Sequence, residues 1–205
     1  LTQLMGIDPS VEVIFFDPTG ADLKGKYVGE TEKKITKYFT CASQAACAKM
    51  ELLLKNGAKV DKVNDEGMTA LMLVGIYSGK DPKAKTSVDL TTLYIKNGAD
   101  INHKDNSGMT PLMSAILSFN VQLTQFLLDK GADVAVKNKR GETPLLCAIQ
   151  QISLLFSANE SYKESGFKIV KALVEKGAGK SGDEKREALI KVRILKLKRI
   201  EALLN

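Results

Sequence analysis

Two short phrases recur along this chain at regular distances, and that recurrence limits its possible folds more than any other feature. The first follows a leucine-rich run: LLLKNGAKVD at 52–61, LYIKNGADIN at 93–102, FLLDKGADVA at 126–135 and ALVEKGAG at 172–179. The second lies between copies of the first: DEGMTALM at 65–72, NSGMTPLM at 106–113 and KRGETPLL at 139–146. Gly98 and Gly131 are 33 residues apart, and so are Gly108 and Gly141. The remaining intervals of the first phrase, 41 and 46, read as the same unit with insertions of 8 and 13 residues. A period of this length marks a stack of like supersecondary units, none of which can bury its apolar face alone.

Each landmark has a local physical role. Thr69, Thr110 and Thr143 can cap a helix N-terminus through the side-chain oxygen. Pro111 and Pro144 follow at the first helical position, where a missing N–H costs nothing. Gly67, Gly108 and Gly141 supply the positive φ of a tight turn just before the cap. Leu127 and Leu128 belong to a second helix, which Gly131 ends in a left-handed cap. The unit is therefore turn, helix, helix, loop. Three units stand out, at roughly 64–98, 105–131 and 138–177. A degenerate earlier unit places Thr36 at the capping position and Tyr38-Phe39 in its first helix. The domain plan is a cap segment at 1–35, repeats at 36–182 and a closing helix at 183–205. On a helical wheel Leu189, Ile190, Val192, Ile194, Leu197, Ile200, Leu203 and Leu204 of that helix share one broad arc. Lys191, Lys198 and Arg199 supply a polar outer face of the kind a terminal unit needs.

Through GMTPLM (108–113), GETPLL (141–146) and GADIN (98–102), the sequence resembles the ankyrin-repeat family over roughly residues 35–180. The resemblance implies an all-α solenoid of stacked helix-turn-helix units with connecting β-turn loops. It also implies a non-catalytic scaffold that binds a protein partner. In the family a histidine after Thr-Pro-Leu ties neighbouring repeats together, whereas this chain has Met72, Met113 and Leu146 there. That departure implies a divergent array with a more apolar substitute contact. The family binds partners through turn tips and first helices. Carried over position by position, the turn-tip candidates are Asp65, Glu66 and Met68, then Asn106, Ser107 and Met109, then Lys139, Arg140 and Glu142. The first-helix candidates are Ile76 and Tyr77, Leu117 and Ser118, and Gln150 and Gln151. Met68 and Met109 are adaptable side chains, and tyrosine and arginine, here Tyr77 and Arg140, are enriched in interface hot spots. The row of tips runs from acidic to neutral to basic, which would orient a partner of opposite gradient.

Composition narrows the alternatives. The 205 residues are 44% hydrophobic with 6% aromatics and no tryptophan, so the core must be Leu, Ile, Val, Ala and Met. Eight Lys/Arg against four Asp/Glu from Lys180 onward hold +4 of the net +6, leaving +2 for the rest of the chain. A nucleic-acid-binding body would carry its basic patch across the domain. Binding of nucleic acid or a membrane surface through the basic C-terminal helix, around 185–199, is the alternative this charge suggests, against a structural capping role. Cys41, Cys47 and Cys147 are odd in number and irregular in spacing, which disfavours a disulfide framework. Cys147 falls in a first helix, where a small thiol packs well. His103, the one histidine, has no metal-ligand spacing and no triad partners, and is expected in a solvent-exposed loop. No metal, cofactor or small-molecule substrate is expected, and the chain is read as a monomer. No run of eighteen apolar residues predicts a membrane span. The sequence opens on Leu1 rather than Met, which leaves room for a removed signal peptide and leaves the compartment open.

Three stretches point elsewhere. GAGKS at 177–181 ends like a phosphate-binding loop, but the glycine required five residues before Gly179 is Val174, and the stretch follows a helix. IFFDPTGADLKGKYVGETEKKITKYF at 14–39 is similar to the pore-loop segment of AAA-type ATPases, which gives an ATPase-related fragment as a competing function. The phosphate loop before it and the acidic metal-binding strand after it are both missing from the sequence, so no Mg–ATP site is expected. The preferred reading is an extended segment at Val11–Phe16, a turn at Asp17–Gly20 and a helix from about Thr31. The insertions, SGKDPKAKTS at 78–87 and QISLLFSANESYKESG at 151–166, read as a polar loop and as an extended helix followed by a polar loop. Both should project from the edge opposite the turn tips. Asn159-Glu160-Ser161 is a formal glycosylation acceptor.

Overall fold

Helices start here where the sequence offers a cap and stop where it offers a glycine. The computed structural model describes residues 51, 54–55, 59–77, 85–154, 160–194 and 197–204. Among them are eight helices: α1 Ala70–Tyr77, α2 Lys85–Lys96, α3 Pro111–Leu117, α4 Val121–Asp129, α5 Pro144–Leu154, α6 Glu160–Glu175, α7 Gly182–Ile194 and α8 Lys198–Leu204. Thr110 has extended backbone, and its side-chain oxygen accepts the Met113 N–H at 3.4 Å, with Pro111 opening α3. Thr143 treats the Leu146 N–H the same way at the start of α5. Asn120 caps α4 by accepting the Leu123 N–H at 2.9 Å. Its amide also donates to Ser87 Oγ on α2, 3.2 Å away, so the cap links two units. Thr69 breaks the pattern: its hydroxyl is buried without a partner among the described residues, so α1 starts on backbone bonds alone. At the other end, the second helices α2, α4 and α6 stop at Gly98, Gly131 and Gly177, all with positive φ. The following alanine N–H reaches back to Tyr94, Leu127 or Leu173 C=O at 2.9–3.0 Å, the Schellman closure that glycine permits.

Consecutive helices pair as α1–α2, α3–α4, α5–α6 and α7–α8, and the pairs stack. First helices form one layer in the order α1, α3, α5, α7, and second helices form the other in the order α2, α4, α6, α8. The core is a single apolar seam between the layers. Leu71 and Val74, then Leu112, Ala115 and Ile116, then Leu145, Ala148 and Ile149 fill it from the first helices. Leu90 and Tyr94, then Leu123 and Leu127, then Ile169, Val170 and Leu173 fill it from the second. Each of the leucines, isoleucines and valines among them contributes about 1.5–3 kcal/mol when fully buried. Met72, Met113 and Leu146, at the positions of the family's histidine, are fully buried.

The closing segment differs from the single helix expected. Its apolar arc is divided between two helix axes, with a break after Ile194. Val192 stays on α7 while Leu197, Ile200 and Leu204 turn back into the core with α8, and Ile190 is left exposed. The result is a fourth helix pair rather than a lid. Glu184 seats it: one carboxylate oxygen accepts the Thr143 hydroxyl at 2.6 Å, and the other accepts the Gly179 N–H at 3.0 Å. Three basic residues of this pair are in ion pairs. Lys191 pairs with Glu187, Arg193 with Glu201, and Arg199 with Glu164 on α6. Arg199 also lies 3.8 Å from the Phe167 ring centroid, and its guanidinium holds the Glu164 carboxyl below the usual range.

The insertions differ as well. Residues 160–166 are helical, forming the first turns of α6, and α2 already begins at Lys85. Tertiary contacts override the polar composition: Tyr162 packs edge-on against Phe119 at 5.3 Å. A Cβ on Gly166 would sit 2.4 Å from Ile152, so only glycine lets α6 approach α5 there. Residues 1–50, the degenerate first unit and Asn159 lie outside the described residues, as do 78–84 and 155–158. No described helix is long and apolar enough to cross a membrane.

Two outcomes follow from these contacts. Thr110→Ala is expected to cost about 1 kcal/mol through the lost cap, read from the denaturant midpoint. Cys147 is buried on α5, and burial pushes its thiol up to about 11. At pH 8 only about one Cys147 in a thousand is then ionised, so native protein should resist alkylation at this residue and unfolded protein should not, as peptide mapping would show.

Candidate interaction surface

Before the first helix of each of three pairs the chain makes the same turn, at 64–68, 105–109 and 138–142. Asn64 Oδ1 accepts the N–H groups of Glu66 and Met68 at 3.1 and 2.8 Å. Asp105 does the same for Ser107 and Met109 at 2.7 and 2.8 Å. Asn138 does so for Arg140 and Glu142, both at 2.9 Å. The turn closes as Gly67, Gly108 and Gly141 donate to the carbonyls of Asn64, Asp105 and Asn138 at 2.9 Å. Asn64, Asp105 and Asn138 are absent from the sequence candidates. Their signal is an Asn or Asp three residues before each turn glycine, the residue types whose side chains hydrogen-bond the backbone two residues on.

Successive turns are bonded to each other. Asn106 N–H donates to Glu66 C=O, and Lys139 N–H donates to Ser107 C=O, both at 2.9 Å. The Asn106 side chain adds a bond to Asp65 C=O at 2.9 Å. A parallel set of rungs joins the connecting loops. Asp61 accepts the Asp100 N–H at 3.1 Å, and Asn102, its equivalent one repeat later, accepts the Asp133 N–H at 2.9 Å. His103 is half-buried rather than exposed as expected, with Nε2 2.8 Å from Gly67 C=O. The carbonyl only accepts, so Nε2 carries the proton in this contact. These bonds supply polar ties between repeats in an array without the usual histidines.

The tips Asp65, Glu66, Asn106, Ser107, Lys139 and Arg140 are all exposed, on one edge of the stack. Met68, Met109 and Glu142 are half-buried. Glu142 accepts the Asn138 amide at 2.8 Å, and the Met109 sulfur lies 3.6 Å from that same nitrogen, so these side chains also brace the turn. Ile76, Leu117 and Gln150 are equivalent positions of α1, α3 and α5, and all three are exposed. Ser118 and Gln151 are half-buried and tie the first helices together. The Ser118 hydroxyl lies 2.7 Å from Gly75 C=O, and the Gln151 amide donates to Leu117 C=O at 3.0 Å. Tyr77 ends α1, and its side chain lies outside the described residues.

A family model of ankyrin repeats in three copies matches residues 83–181. Residues 83–181 are thus similar to ankyrin repeats, the family the sequence motifs point to. The match starts within the segment leading to α2 and ends just before α7, so the ankyrin-like stack extends beyond it on both sides, through α1 and through the α7–α8 pair. No curated protein matches the sequence. Ankyrin repeats generally mediate protein–protein interaction and are typically non-catalytic. Among the described residues no three His, Cys, Asp or Glu side chains group as a metal site.

The stacked turns make a graded prediction. A Cβ at Gly108 would meet Lys139 N at 3.0 Å and Asn138 Cα at 3.1 Å, whereas nothing lies within 4 Å of one at Gly141. Both glycines have positive φ, which costs a non-glycine residue roughly 1–2 kcal/mol. Gly141→Ala should therefore cost roughly 1 kcal/mol, and Gly108→Ala about 1–3 kcal/mol more through crowding. Equal losses in chemical denaturation would refute the turn-on-turn contact.

Proposed function

We propose that this ankyrin array is a non-catalytic module that binds a protein partner through its turn tips and the exposed positions of its first helices. One observation carries the reading: hydrogen-bonded turns hold Asp65, Glu66, Asn106, Ser107, Lys139 and Arg140 in an ordered exposed row. Ordering before binding lowers the entropy cost of association. Ile76 and Leu117 add exposed apolar surface at equivalent helix positions, and Tyr77 adjoins them in sequence. The row runs from two acidic tips through two neutral ones to two basic ones, which favours a partner of opposite polarity. The ion pairs of α7 and α8 support a structural role for Lys191, Arg193 and Arg199 over nucleic-acid or membrane binding. The ATPase-like stretch 14–39 lies outside the described residues, and the sequence argument against a Mg–ATP site stands.

The test begins with a partner captured by the full chain and identified. Tyr77→Ala, Met109→Ala and Arg140→Ala together should weaken its binding by about tenfold or more, as hot-spot losses do. Unchanged affinity in a variant that unfolds at the wild-type midpoint would place the binding face elsewhere.

A further inference from the structure

The stack of turns ends one unit before the stack of helices does. Between Gly131 and Pro144 the chain has room for the connecting loop and a turn. After Gly177 only Ala178-Gly179-Lys180-Ser181 precede α7 at Gly182, so the fourth helix pair arrives without a turn of its own. Three consequences coincide at the third turn. First, its outward acceptor is unused. Glu66 C=O and Ser107 C=O each receive an N–H from the next turn, but Arg140 C=O, the equivalent group, receives none among the described residues. Second, the space beside it is open. A Cβ on Gly67 or Gly108 would collide with the following turn, and one on Gly141 would meet nothing within 4 Å. Third, the surroundings are basic. Lys137, Lys139 and Arg140 are all exposed. Glu142 lies 3.9 Å from Arg140 Nε and offsets it only in part, because its carboxylate also accepts from Asn138. Of the two acidic residues in the first turn of α7, Glu184 is held by the Thr143 hydroxyl and the Gly179 N–H, and Asp183 is exposed.

We infer that this open end of the turn stack is a main-chain docking site for an acidic, extended segment of the partner protein. A backbone N–H of that segment donates to Arg140 C=O and adds the next rung of the ladder. Its Asp or Glu side chains meet Lys139 and Arg140. The mode is main-chain addition to an unpaired edge, with affinity from the backbone bond and selectivity from charge. The inference rests on the reading that the turn tips bind protein, and it names where and with what chemistry one end of the partner is held.

The probe is a library of short random displayed peptides selected on the full chain. Enriched peptides should carry clustered Asp or Glu. They should lose about tenfold or more in affinity for the Lys139→Glu/Arg140→Glu variant, whose exposed substitutions leave the fold intact. In a selected peptide, replacing one particular amide by an ester, which removes its N–H, should weaken binding by about tenfold, while esters at neighbouring positions change little. Enriched peptides without acidic clusters, full affinity for the charge-reversed variant, or indifference to every ester would each overturn the inference. Peptides that depend on Glu66 and Met109 but not on Lys139 and Arg140 would overturn it and leave the interaction face standing. Peptides indifferent to all turn-tip substitutions would remove both.

Discussion

A helical hairpin with apolar residues on both flanks cannot bury them by itself, and every other feature of this molecule depends on that constraint. Leu112, Ala115 and Ile116 of α3 are buried because α1 lies on one side and α5 on the other. Stability in such an array is a sum of units and nearest-neighbour interfaces, so the end of the stack is where the sequence must change its rules. It does so at α7 and α8. The helix pair keeps the apolar positions Ala188, Val192, Leu197, Ile200 and Leu204, while Glu184 replaces the usual repeat signature in fixing its approach.

Polar bonds then set the spacing that apolar packing leaves loose. The histidine positions are filled by Met72, Met113 and Leu146, which pack without donating or accepting. The ties between units are instead distributed along the edges: turn to turn through Asn106 and Lys139, loop to loop through Asp61 and Asn102, and helix to helix through Ser118 and Gln151. The same bonds that space the repeats also aim the turn tips. Structure and candidate interaction surface are therefore one device here, and a change in a turn's anchoring residue would be felt in both.

Much of the fold was legible because its determinants are local. Thr110 and Thr143 cap helices, Gly131 ends one, and Gly108 turns the chain, each within a few residues of its own position. Thr69 shows the limit of that logic: the same residue in the same phrase makes no capping bond among the described residues. His103 shows another, since a loop position gave no hint of the Gly67 carbonyl 36 residues away. The polar composition of residues 160–166 predicts a loop, yet contacts with Ile152, Phe119 and Arg199 hold them in a helix. Side-chain roles on the surface divided similarly. Exposure at Ile76, Leu117 and Gln150 followed the repeat, whereas the bonds of Ser118 and Gln151 to neighbouring helices did not.

The sequence by itself determined the repeating unit, its period, the caps at Thr110 and Thr143 and the positions of its tips, because these arise from backbone preferences over short spans. Only the tertiary structure decided that the last segment folds as a hairpin, that the turns bond to one another, and that their ladder stops at Arg140. Those outcomes depend on which groups meet across 33 or more residues, and no local preference encodes a meeting of that kind.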